Sequence, residues 1–117
     1  MAEMKLPIDH VAVPANDIGK SVAWYRDKFG AKVLYEDDSW AFLKMGAVKL
    51  ALVTPNQHPP HVALRVTEEQ LEQQAESANL EVDRHRDGTA GVYLKDPDGN
   101  AIELICYPDG ETAYDDA

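Results

Sequence analysis

His10-Val11-Ala12-Val13 returns as His61-Val62-Ala63-Leu64, 51 residues further along the chain. A second pair of matching stretches follows, Gly46 to Pro55 (GAVKLALVTP) and Gly99 to Pro108 (GNAIELICYP), 53 residues apart. The offsets are nearly equal, and the matches fall at the opening and the close of each half. They point to a duplicated unit of about 50 residues.

The elements between the matches repeat in the same order. Ile8 to Val13 is rich in β-branched residues and reads as a strand closed by Pro14. Asn16 and Asp17 can cap a helix whose apolar residues Ile18, Val22, Tyr25 and Phe29 recur at helical spacing, with Gly30 as its stop. Lys32 to Glu36, Trp40 to Met45 and Val48 to Thr54 are strand-like runs separated by turn residues. In the second half His61 to Val66 is the strand, and Thr67 with Gln70 forms a capping box for a helix carrying Leu71 and Ala75. Glu81 to His85, Gly91 to Lys95 and Ala101 to Tyr107 supply three more strands, the last entered through the turn Asp96-Pro97-Asp98-Gly99. The chain is expected to be a single domain of two βαβββ modules, about 7–55 and 61–108, joined by a linker at 56–60 and followed by an acidic tail at 109–117.

Composition limits the partners. With 21 Asp and Glu against 11 Lys and Arg, the net charge is −10, which removes the basic footprint needed for nucleic acid or an anionic membrane. No apolar stretch approaches the roughly 20 residues of a membrane span, and Met1 to Leu6 is no signal peptide, so a cytoplasmic protein is expected. The single cysteine, Cys106, cannot form an internal disulfide and is too few for a thiolate metal site. Any metal must be held by His and carboxylates.

Strand alternation assigns the polar residues to faces. Val62, Leu64 and Val66 form a helix-packing face, which turns His61, Ala63 and Arg65 the other way. Ile102, Leu104 and Cys106 likewise leave Glu103, Ile105 and Tyr107 opposite, and the repeat equates His10 with His61. His10, His61 and Glu103 therefore share one surface. Glu103 interrupts an apolar run, and a buried carboxylate must be paired or bind a metal. Two readings stand: a His10, His61 and Glu103 site for Fe, Mn, Zn, Ni or Co, or an ion pair between Glu103 and Arg65. Arg65 is also a candidate for a substrate carboxylate, and Trp40, Phe42, Tyr93 and Tyr107 are candidate walls of a substrate pocket. Strand aromatics are as readily plain core. Cys106 reads as a buried apolar residue, His58 as an exposed loop residue, and His85 as solvated within the basic run Arg84-His85-Arg86. By the Gly-to-Pro alignment, the counterpart of Glu103 in the first half is Leu50.

The opening Asp9-His10-Val11-Ala12-Val13, the helix Ser21 to Gly30 (SVAWYRDKFG) and the ending Asp96-Pro97-Asp98-Gly99-Asn100-Ala101-Ile102-Glu103-Leu104 resemble the vicinal oxygen chelate superfamily over about residues 7 to 108. That superfamily includes glyoxalase I, methylmalonyl-CoA epimerase, extradiol dioxygenases, fosfomycin-resistance thiol transferases and bleomycin-binding proteins. The resemblance implies an α+β fold in which two βαβββ modules form a cupped, mostly antiparallel mixed sheet with helices on its outer face. It implies a divalent metal on His10, His61 and Glu103, a small-molecule substrate and a homodimer. It does not imply a typical glyoxalase I, because Leu50 stands where a fourth ligand and proton-transfer carboxylate would be. Ala12 and Gly91, where hydroxyl-bearing residues would be expected, argue against a fosfomycin enzyme. The expected function is a metal-dependent lyase, isomerase or dioxygenase acting on a vicinal-oxygen compound. The alternative is a non-catalytic drug- or metabolite-binding protein of the bleomycin-resistance kind.

Overall fold

A computed structural model describes residues 6–85 and 88–107. The expected tail at 109–117, the module end at Pro108 and Arg86 of the basic run lie outside the described residues. The elements run β1 (Ile8–Pro14), α1 (Ile18–Phe29), β2 (Lys32–Glu36), β3 (Trp40–Met45), β4 (Val48–Val53), β5 (His61–Arg65), α2 (Glu68–Ser77), β6 (Asp83–Arg84), β7 (Ala90–Lys95) and β8 (Ala101–Cys106). This is βαβββ twice. Both helix starts follow their caps: the Asp17 side chain accepts from the Lys20 N–H, and Thr67 and Gln70 form a reciprocal capping box. Helix α1 ends at Gly30, whose φ of 69° is a left-handed conformation open to glycine.

All eight strands join one sheet in the order β2-β3-β4-β1-β5-β8-β7-β6. Within each half the first and last strands pair in parallel, β1 with β4 and β5 with β8, while the other neighbours are antiparallel. The halves meet at β1 and β5, where Val11 faces Val62, His10 faces Ala63 and Ala12 faces His61. That register maps onto itself when residue numbers move by the repeat's offset of 51. A pseudo-two-fold axis therefore passes between Val11 and Val62.

The two helices cover one face of the sheet. Ile18 and Val22 of α1 pack with Ala41, Leu43 and Leu52, and Leu71 and Ala75 of α2 pack with Val92, Leu104 and Cys106. On the opposite face Ala12, Phe42, Ala51 and Val53 make one smaller cluster, and Ala63, Ile105 and Tyr107 make another. Among the described residues, no helix is long and apolar enough to cross a membrane.

Three expectations need correction. Phe29, the last apolar residue of the expected helical stripe, is 61% exposed, and it packs at the helix surface on Tyr25 and on Trp24, itself 49% exposed. The strand expected over Glu81 to His85 shrinks to two residues, because at the sheet edge it finds partners only at Gly91 and Ala90. Leu50 packs against the α1 core, so it belongs to the helix face and not to the face that carries Glu103.

Leu71 is fully buried on the sheet-facing side of α2, whereas Leu80 is 44% exposed. Leu71→Ala should lower unfolding free energy by about 2–5 kcal/mol in denaturant titrations, and Leu80→Ala by no more than about 0.5 kcal/mol. Equal effects would contradict the assignment of the α2 core.

Candidate metal centre

The sheet brings His10, His61 and Glu103 together within one chain, so the set needs no second copy for completion. An expected homodimer then rests on covering sheet edges, not on assembling these three residues. The route is a row of neighbours across the strands. His10 lies opposite Ala63, and Ala63 lies beside Glu103. Ala63 is fully buried and small, so the side chains of His10 and Glu103 lean over it from either side. His61 joins from the neighbouring row, where it lies opposite Ala12.

The three atoms that meet are His10 Nε2, His61 Nε2 and Glu103 Oε1, and each pair is 3.3 Å apart. Both imidazoles have committed their other nitrogen. His10 Nδ1 donates to Asp9 Oδ2 at 2.7 Å, and His61 Nδ1 donates to the carbonyl oxygen of Pro59 at 2.8 Å. In the neutral ring a proton on Nδ1 leaves Nε2 as an acceptor. Two acceptor nitrogens and a carboxylate oxygen thus face one another in a buried place, which is unfavourable unless a cation or proton sits among them. A single proton relieves the contacts of one nitrogen, whereas a divalent ion relieves all three. Metal bonds of about 2.0–2.1 Å at tetrahedral angles separate ligand atoms by about 3.3–3.4 Å, so the triangle fits such an ion.

The charges respond as this geometry requires. Burial opposes ionisation of Glu103, but hydrogen bonds and charge from His10 and His61 outweigh it and hold the carboxyl at about 2. Burial likewise opposes the charged form of His10, yet Asp9 and Glu103 raise its pKa above the ordinary imidazole value. Asp9 is held at about 2 against burial, by hydrogen bonds from His10 and Tyr107.

A cavity of about 700 Å³ opens over the triad. Its walls include Trp40, Phe42, Tyr93 and Tyr107, the four aromatics expected there, together with Ala51, Val53 and Ile105. Phe42 packs its ring edge-to-face with His10, and Tyr93 does the same with His61, at centroid distances of 5.4 and 5.2 Å. His58 and His85 are exposed, as expected, but both line this cavity, and His58 stacks on Tyr93. Gly91 leaves room for the carboxylate: a Cβ there would sit 3.3 Å from Glu103 Oε2 and 3.0 Å from the Leu104 carbonyl oxygen.

Arg65 does not line the cavity and does not pair with Glu103. Its Nη2 donates to Asp9 Oδ1 at 3.2 Å, and its guanidinium lies 4.3 Å from the Tyr107 ring centroid. It lines instead a separate hollow of about 290 Å³ with Asp9, Lys44 and Lys49. Arg84, in the basic run, pairs with Glu68 of α2 at 2.8 Å. The Cys106 thiol is pushed up by burial and by the Glu68 carboxylate, which keeps it protonated.

The fourth position also moves. Glu103 sits beside Ala63 in the row that ends at His10, and the mirror row runs from His61 through Ala12 to Ala51. Ala51 is therefore the counterpart of Glu103, and Leu50 is one residue out of register. Asp9 was missed because strict alternation puts it on the opposite face from His10. A bulge between Ile8 and His10 adds one residue to β1 and turns both side chains to the same side.

With this geometry in view, the likenesses to other proteins fall into place. Residues 7–104 match the Glyoxalase/Bleomycin resistance protein/Dioxygenase superfamily. The metallothiol transferase FosB of Staphylococcus saprophyticus is 31% identical over 112 residues, covering 83% of this chain and 74% of that protein. Among solved structures, methylmalonyl-CoA epimerase from Mycobacterium tuberculosis superposes with a TM-score of 0.69 at 19% identity, covering 86% of this chain and 87% of the other. A superfamily member from Vibrio splendidus gives 0.67 at 20% identity, covering 87% and 99%. At those identities the two structures speak for the fold alone. A sequence match spanning both halves and a sheet built from two βαβββ units agree, and the chain belongs to the glyoxalase/bleomycin resistance protein/dioxygenase superfamily.

Proposed function

We propose that the protein is a divalent-metal-dependent enzyme acting on a small substrate that presents adjacent oxygens. The observation that carries this reading is the 3.3 Å triangle of His10 Nε2, His61 Nε2 and Glu103 Oε1, whose imidazoles have both spent their Nδ1 protons elsewhere. A divalent ion there would supply Lewis acidity toward the substrate oxygens. The candidate ions are Fe, Mn, Zn, Ni and Co, which imidazole and carboxylate suit.

The chain's own residues do the rest. Trp40, Phe42, Tyr93 and Tyr107 exclude water and give the substrate flat apolar walls. No Lys or Arg lines the cavity among the described residues, and its polar lining beyond the triad includes Ser39, Gln57, His58, His85 and Thr89. Burial raises the Tyr93 hydroxyl well above its usual range, which keeps it a neutral hydrogen-bond donor. Ala51 offers neither a ligand nor a base at the fourth position. Lyase or isomerase chemistry that moves a proton through a carboxylate there has no group to use it. Reactions whose second reactant brings its own nucleophile or oxidant fit better, either thiol transfer or reaction with dioxygen. The likeness to a metallothiol transferase favours thiol transfer. Gly91, one of the two residues that argue against a fosfomycin substrate, is also explained by clearance for Glu103, whereas Ala12 still leaves that position without a hydroxyl.

Wild-type protein is expected to bind one divalent ion per chain by calorimetry and elemental analysis, and His61→Ala or Glu103→Ala to abolish binding while keeping the cooperative unfolding transition. Retention of the ion by both variants would contradict the site. If wild type takes up no ion yet binds flat organic ligands, it is a metal-free binding protein.

The fourth position gives a second test. Ala51→Glu places a carboxylate beside the triad and should tighten metal binding. Leu50→Glu buries a charge against the α1 core and should only destabilise, by about 2 kcal/mol or more. Tighter binding with Leu50→Glu instead would overturn the register assignment.

Metal must also displace the proton that Asp9 and Glu103 favour on His10. Apparent affinity should therefore rise with pH until the raised His10 value is passed, then level off. In the metal-free protein the sign reverses: protonated His10 contributes stability at low pH that is lost as pH rises through its raised pKa. A metal affinity independent of pH between 5 and 8 would count against His10 as a ligand.

A further inference from the structure

We propose that Asp9 is a positioning residue for the metal centre, and that it makes His10 the stronger of two unequal imidazole ligands. This rests on the reading of His10, His61 and Glu103 as metal ligands. Asp9 does not line the cavity over the triad, so it acts through His10 and not on a substrate. Its side chain is 2% exposed, and four side chains converge on its carboxylate. Oδ2 accepts from His10 Nδ1 at 2.7 Å and from the Tyr107 hydroxyl at 2.8 Å, while Oδ1 accepts from Lys49 Nζ at 3.4 Å and Arg65 Nη2 at 3.2 Å.

A buried carboxylate with these partners could be no more than a fastening for the seam, since they come from β1, β4, β5 and the end of β8. Three features argue for more. The β1 bulge is what brings Asp9 to the His10 side, at the cost of regular pairing with β5. The shortest of its contacts is the one to the imidazole. And the pseudo-two-fold equivalent is different, because His61 Nδ1 meets the uncharged Pro59 carbonyl. A carbonyl fixes a ring's tautomer and orientation, whereas a carboxylate also makes the ring a stronger electron donor. The two halves thus offer the ion one imidazole backed by a negative charge and one backed by a neutral dipole.

Asp9→Asn keeps an oxygen acceptor for Nδ1 and removes the charge, so it separates orientation from basicity. Calorimetric titration with Zn²⁺ should show the dissociation constant of Asp9→Asn rising by about 10- to 100-fold over wild type. Lys49→Met loosens the same buried cluster but leaves the carboxylate in place, so it should leave the constant within about threefold, or lower it, since a nearby positive charge is gone. A purely structural role would lower the melting temperature in both variants and move Zn²⁺ affinity in neither, which overturns the proposal. So does an affinity loss of equal size in both. Should Asp9→Asn fail to fold, nitrogen-15 NMR of Zn²⁺-loaded wild type decides: the His10 Nδ1 proton should resonate farther downfield than that of His61, and the reverse order overturns the proposal. Wild type that binds no Zn²⁺ overturns the metal reading itself, and this inference with it, a result distinct from intact binding that Asp9→Asn leaves unchanged.

Discussion

The antiparallel pairing of β1 with β5 is the constraint on which the rest depends. It sets Val11 against Val62 at the pseudo-two-fold axis, and that register places each histidine opposite an alanine of the other half. Had the strands slipped by one residue, the whole set of side chains would have changed face, and His10 and His61 would have entered the helix-packed core. The small residues are as necessary as the three polar side chains. Ala63 and Ala12 leave space above the strands, so that imidazoles and a carboxylate from the three successive strands β1, β5 and β8 can meet within 3.3 Å of one another.

The seam is also where the two halves stop being equal. Duplication supplies symmetry for the histidines, the helices and the sheet order. Glu103 has only Ala51 as its counterpart, Asp9 backs one histidine, and a linker carbonyl backs the other. A binding centre with one open side follows from that asymmetry. In the proposed metal centre, a carboxylate at position 51 would be a fourth ligand and would fill the side that Ala51 leaves open.

Most of the architecture was legible in the amino-acid order because its signals are local. Thr67 with Gln70, Asp17 before an apolar helix, and Gly30 after it each state a chain direction change in a few residues. The triad was legible for a different reason: a repeat equates His10 with His61, and an acidic residue in an apolar strand demands a partner. What could not be read was anything decided by one residue of register. Aligning Gly46 with Gly99 gave Leu50 as the partner of Glu103, whereas the strand pairing gives Ala51, because the step from the turn glycine to that row is one residue longer from Gly46 to Ala51 than from Gly99 to Glu103. The bulge in β1 hid Asp9 in the same way, and with it the fate of Arg65, whose guanidinium is turned toward Asp9 and away from the cavity. Alternation predicts faces only while the ladder is regular.

The central claim is that three side chains of one chain hold a divalent ion at the seam between the halves. Anomalous diffraction from crystals of the protein loaded with Zn²⁺ or Co²⁺ tests it most directly. The account predicts one strong peak per chain, lying about 2.0–2.2 Å from His10 Nε2, His61 Nε2 and a Glu103 carboxylate oxygen. A fully loaded crystal whose ion lies elsewhere, or is shared between chains without one of these three ligands, would contradict it.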